Sequence, residues 1–116
     1  MYEVGKAQAL ENKEKVINAF LSPFVNIMRN PQARRVWEAF GEDPFYSGVC
    51  VTEMIKGIQD VGVIATIKHF VGNDQETYRT VSSNIDKAPL WIYMLSLFID
   101  LFMKLKLEIL CLYIVL

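Results

Sequence analysis

The sequence predicts an α/β fold with parallel strands, on three observations. Helical and strand-like segments alternate along the chain, as in β/α packing. The segment Val63 to Val71 (VIATIKHFV) is apolar at nearly every position, the pattern of a strand buried on both faces. Before it, Val51, Met54, Ile55 and Ile58 fall at i, i+3, i+4 and i+7, which is one apolar stripe on a helix.

Each element has a local cause. Residues 1–17 are rich in helix formers (Lys6, Ala7, Gln8, Ala9, Leu10, Glu11), with a weak stripe of Val4, Ala7 and Leu10. Val16 to Leu21 is a short apolar run broken only by Asn18, and Ser22-Pro23 stops it. Its length suits a buried strand. Residues 23–42 read as a long irregular stretch punctuated by two prolines and Gly41. A loop of about twenty residues without its own structure points to function. Asp43-Pro44 then reads as a helix start, with Asp at the N-cap and Pro at the first helical position. Gly62 is placed to cap the far end. Gly72-Asn73-Asp74 ends the second strand, and a polar segment with room for one more helix follows. Two strands cannot make a self-sufficient parallel sheet, so the pattern reads as a piece of a larger assembly.

Length and charge exclude several classes. A chain of 116 residues is too short for a closed eight-stranded α/β barrel, which takes roughly 200–250 residues. Lys and Arg number 12 against 13 Asp and Glu, with no basic block, so nothing marks a nucleic-acid surface. Two cysteines, Cys50 and Cys111, and one histidine give no metal-ligand spacing. No cofactor motif is present: there is no Gly-rich phosphate loop and no GxSxG elbow.

Composition divides the chain. Residues 88–116 hold 23 apolar residues out of 29, whereas residues 1–87 hold 38 out of 87. The tail is nevertheless a poor membrane span, because Ser96, Asp100, Lys104, Lys106 and Glu108 interrupt it. The polar N-terminus has no apolar stretch of the kind a secretory leader carries.

Chemistry concentrates at one end of the strands. Ligands of α/β sheets bind at the carboxyl ends of strands. Lys68 and His69 lie there, in a segment where buried charge is costly unless paired. Arg34 and Arg35 follow the first strand and could fork onto a carboxylate or sugar hydroxyls, although a solvated surface pair explains them as well. Glu38, Glu42, Asp43, Asp74 and Glu76 are the acidic candidates, and spacing selects no pair among them. Trp37 and Phe40 could stack on a sugar ring or serve as packing anchors.

The segments NIMRNPQARRVWEAFGEDPFYSGV, EMIKGIQDVGVIATIKHFVGNDQETYR and SSNID resemble glycoside hydrolase family 3, in its β-glucosidase branch. That family shows N-x-x-R-D/N-P-x-x-G-R-x-F/W-E-x-F/Y-G-E-D-P, then a helix ending in KGIQ and a KHF-x-x-N-D/E-Q-E-x-x-R run. The match keeps its order from about Tyr2 to Asp86. A KHFPGHG-type string, which would mark the hexosaminidase branch, does not occur. The resemblance implies part of a (β/α)8 barrel over residues 1–87; the divergent apolar tail over 88–116 lies outside it and is expected to be helical. It implies retaining hydrolysis of terminal β-D-glucosyl residues, with a β-glucoside or oligosaccharide as partner, neither metal nor cofactor, and an extracellular setting. Carried over, Arg35, Lys68, His69 and Arg79 bind the sugar, and Glu76 supports them from behind.

Three departures from the family pattern stand out. Arg34 occupies the position where the family has Gly before the sugar-binding Arg. No SDW-like segment supplies a nucleophile, and neither the acid/base carboxylate nor the upstream sugar-binding Asp is present. After Pro89-Leu90-Trp91-Ile92-Tyr93 the string loses its family counterpart, as expected of a truncated or frame-shifted reading frame. The chain is therefore expected to be a fragment without a catalytic residue, inactive alone. The alternative expectation is a non-catalytic binding protein derived from such an enzyme, membrane-associated through its tail.

Overall fold

The computed structural model describes residues 1–78, 81–105 and 109–112. Its elements are α1 (Tyr2–Glu14), β1 (Ala19–Phe20), a 3-10 turn (Val36–Glu38), α2 (Pro44–Asp60), β2 (Ile64–Phe70), α3 (Lys87–Pro89), a π-helical stretch (Leu90–Leu95), α4 (Ser96–Lys104) and β3 (Ile109–Leu112). The three strands form one parallel sheet in the order β1-β2-β3. The α/β alternation with parallel strands is thus observed. The apolar tail is helical from Lys87 to Lys104 and then supplies β3, rather than staying helical throughout.

α1 packs against α2 through backbone, not through the stripe predicted for it. Val4 and Leu10 are about half exposed (46% and 49%), and the buried positions are Gly5 and Ala9. A Cβ on Gly5 would collide with the Met54 carbonyl oxygen, and one on Gly57 with the Tyr2 carbonyl oxygen. Hydrogen in place of a side chain lets the two helices touch.

α1 ends three residues earlier than its composition suggests, in a closed turn. The Val16 N–H donates to the Lys13 carbonyl at 2.9 Å, and the Ile17 N–H to the Asn12 carbonyl at 3.0 Å. This is the 5→2 and 6→1 pairing of a Schellman motif, which needs a left-handed residue at its centre. Val16 fills that place at φ 59°. Gly62 fills the equivalent place after α2 at φ 85°, as predicted.

Asp43 caps α2 as predicted, its side chain accepting from the backbone N–H groups of Phe45 (2.7 Å) and Tyr46 (3.3 Å). Val51, Met54, Ile55 and Ile58 form the buried stripe. They meet Val25, Ile27, Val63, Ala65 and Ile67 from the strand side, with Leu97, Phe98 and Leu101 from α4, in one core.

The segment after Pro23 is not a loop at its start. Phe24 bridges Lys68 in parallel register, and the Val25 N–H donates to the Lys68 carbonyl at 2.7 Å. Between the Phe20–Ala65 and Phe24–Lys68 pairings, Leu21, Ser22 and Pro23 stand opposite Thr66 and Ile67, so the first strand carries a bulge and resumes. Phe24 to Ile27 are buried. The peptide bonds Ser22–Pro23, Lys68–His69 and Phe70–Val71 are cis. No helix forms between Gly72 and Asp86 among the described residues.

Candidate substrate-binding site

The carboxyl ends of the first two strands and the segments leaving them bring together five side chains. The 3-10 turn Val36–Glu38 folds Glu38 back onto Arg35, whose Nε donates to Glu38 Oε1 at 2.8 Å. Lys68 Nζ reaches the other oxygen of the same carboxylate, Oε2, at 3.1 Å. Glu76, from the segment after β2, stands 3.6 Å from Arg35 Nη1. His69 Nε2 lies 3.0 Å from that same Nη1. The Arg35 guanidinium also sits over the Phe24 ring, 5.4 Å from its centroid, and Phe24 meets His69 edge to face at 5.7 Å. The costly buried strand charges are therefore paired, and Glu38 is shared between two cations.

The protonation states follow. Burial holds the His69 imidazole down, and the neighbouring Arg35 and Lys68 charges hold it further down, to about 4. It is neutral at pH 7. A guanidinium can only donate, so Nε2 accepts from Arg35 and the ring proton resides on Nδ1. For Glu38, burial pushes the carboxyl up, but the hydrogen bonds from Arg35 and Lys68 outweigh it and hold it below its ordinary value. Glu38 is a carboxylate throughout the neutral range.

Two further contacts fix this cluster. Asn26 is buried, and its Oδ1 accepts from the His69 backbone N–H at 3.1 Å while its Nδ2 donates to the Asn73 carbonyl at 2.7 Å. Arg29 clasps Asp74 through Nε (2.8 Å) and Nη2 (3.1 Å), and Nη2 also donates to the Ser83 hydroxyl at 3.1 Å. One side of the strand end is thereby tied to the other, with Glu76 two residues from the clasp.

Of the residues singled out in the sequence, Arg35, Lys68, His69 and Glu76 converge. Arg79 lies outside the described residues. Arg34 is exposed on the rim and lines an open cleft with Arg35, Trp37, Glu38 and Glu76. It is not among the residues with positive φ, so its place before Arg35 carries no left-handed strain. Asp43 is an N-cap and Asp74 an Arg29 partner. Glu38 at the centre is one of five acidic candidates that sequence spacing leaves unseparated, and Asn26 behind His69 is not among the sequence candidates. An Arg and a Glu three apart in ARRVWE was the available signal for Glu38; Asn26 left none.

The family model for the glycosyl hydrolase family 3 N terminal domain matches residues 1–90. The chain belongs to glycosyl hydrolase family 3. Within this family it is 47% identical over 98 residues to probable beta-glucosidase F of Neosartorya fischeri, a match covering 78% of this chain and 11% of that protein. It is likewise 47% identical over 93 residues to beta-glucosidase cel3A of Pyricularia oryzae, covering 73% of this chain and 12% of that one. Among solved structures, a beta-glucosidase from Kluyveromyces marxianus matches at TM-score 0.89 and 30% identity, over 96% of this chain and 14% of that one. The beta-glucosidase 3B of Thermotoga neapolitana in complex with glucose matches at TM-score 0.84 and 38% identity, over 96% and 16%. The family 3 segment thus spans only about an eighth of the length of the curated relatives it matches.

Proposed function

We propose that these residues form part of the (β/α)8 barrel of a β-glucosidase and carry one wall of its glucose subsite. Residues 1–87 are barrel units, and 88–116 are the region where the sequence diverges. The observation that carries the reading is the convergence of Arg35 and Lys68 on Glu38, with His69 against the Arg35 guanidinium, at the carboxyl ends of parallel strands. That is where such folds hold ligands.

Retaining hydrolysis needs two carboxylates flanking the glycosidic bond, one attacking the anomeric carbon and one protonating the leaving oxygen. In this chain the clustered carboxylates Glu38 and Glu76 are committed to cations. No carboxylate of this cluster is left over for the chemistry, so the role read for these residues is binding. An ammonium has three donors, and Lys68 uses one on Glu38, leaving capacity for sugar hydroxyls. Arg35 and Glu38 offer a donor and an acceptor side by side, which suits vicinal hydroxyls. Neutral His69 adds an uncharged polar group. Glu76 holds Arg35 in place, and Arg79 is assigned to the same subsite by its place in the N-D-Q-E-x-x-R run. The ligand class is a terminal β-D-glucosyl residue, and no step calls for a metal or cofactor.

The test is glucose binding by the purified chain, read from saturation-transfer NMR, beside hydrolysis of an aryl β-glucoside. Binding that Lys68→Ala removes, without turnover, is expected. Turnover abolished by Lys68→Ala would instead mean that carboxylates of this chain, such as Asp74 or Glu76, do the chemistry. The second reading, a membrane-associated binding protein, receives no support from the helices: among the described residues none is long and apolar enough to cross a bilayer.

A further inference from the structure

The cleft in front of Arg35 has a charge balance that glucose alone does not explain. Its floor is half-buried and internally neutralised: Glu38 and Glu76 face Arg35 and Lys68. Among the described residues its exposed rim carries Arg34 and Trp37. Among the described residues Arg34 makes no ion pair, so its guanidinium brings an uncompensated charge to the cleft. Trp37 is 81% exposed, an indole that lines the same cleft as that guanidinium. An exposed aromatic beside a sugar-binding floor stacks a ring, and a guanidinium prefers a planar anion to a hydroxyl because its parallel N–H groups match two carboxylate oxygens.

We infer that Arg34 and Trp37 form a recognition lip for the group attached to glucose, and that this lip selects a planar aglycone bearing a carboxylate. Trp37 stacks the ring and Arg34 pairs the anion. This rests on the glucose subsite proposed above. It extends that reading to the leaving-group side, where the side chain at position 34 sets the preference.

The experiment compares phenyl β-D-glucoside with 4-carboxyphenyl β-D-glucoside as ligands of the full chain. Trp37 fluorescence in a Trp91→Phe background gives both dissociation constants. At low salt the carboxylated ligand is expected to bind about fivefold more tightly, the size of a well-formed surface ion pair. Salt at about 0.5 M should erase most of that preference. Arg34→Gly should remove the preference and leave the affinity for the phenyl ligand unchanged. Arg34→Gln, which keeps an unbranched polar side chain, should do the same and guards against a backbone effect of glycine. Equal affinities in the parent chain, or a preference that survives both variants, overturn the inference while the glucose subsite stands. Failure of both ligands to bind overturns the subsite reading and this inference with it.

Discussion

Lowering the pH from about 7 to about 5 should cost the fold about 2 kcal/mol through His69 alone. The imidazole is held neutral by burial and by the charges of Arg35 and Lys68, at about 4 against 6.5 in the unfolded chain. Between those values the unfolded state binds a proton that the folded state refuses, so stability falls as pH falls. The loss begins below about 6.5 and is complete once the pH is below about 4, where it reaches about 3 kcal/mol at 1.36 kcal/mol per unit. The chain has one histidine, so its imidazole resonance needs no assignment. Two measurements check the claim. Proton NMR should give a midpoint near 4 for the native chain and near 6.5 in denaturant. Urea unfolding across the same window should show a steeper decline for the parent than for His69→Gln, in which other acid-labile groups still titrate. A native midpoint near 6.5, or parallel declines in the two proteins, would refute the neutral, Arg35-bonded imidazole.

Gly57→Ala should destabilise by about 1–3 kcal/mol, because its methyl meets the Tyr2 carbonyl and α1 must move away; urea unfolding reads this directly. Val16→Gly should stabilise by about 0.5–1 kcal/mol, since Val16 is 84% exposed and contributes little beyond its left-handed strain. Its signature is a raised thermal midpoint without a change in circular dichroism. Asp43→Ala should cost about 1 kcal/mol by leaving the first N–H groups of α2 without their acceptor, and Asp43→Asn should recover most of it. Glu38→Gln should lower the His69 midpoint further, because the Glu38 charge is among those that favour the imidazolium.

What could be read in the sequence was whatever a short window encodes. The Asp43-Pro44 start, the Val51-to-Ile58 stripe, the Gly62 stop and the apolar β2 each satisfy a local rule, and each formed. The Lys68-His69 pair was legible because charge in a buried strand demands partners. What stayed hidden depends on pairing across the chain. Pro23 ends a strand in a local reading, yet the backbone resumes its ladder one bulge later because Lys68 lies alongside to receive it. Gly5 and Gly57 carry no hydrophobic signal, so a search for apolar stripes selected Val4 and Leu10, which face solvent. The run from Val16 to Leu21 yielded a strand only at Ala19–Phe20, because its first residues are spent closing α1. Glu38 stood among five acidic candidates until the 3-10 turn folded it onto Arg35.

The Asn26 amide makes the strand end sensitive to a change of one heavy atom. Its oxygen and nitrogen have opposite tasks, one facing the His69 N–H and the other the Asn73 carbonyl. Asn26→Asp would change a single heavy atom and leave the shape almost untouched. It would nonetheless turn a carboxylate oxygen against the Asn73 carbonyl in a buried place, where such repulsion is poorly screened. A variant differing in mass by one unit would thus lose its grip on the strand end that presents His69.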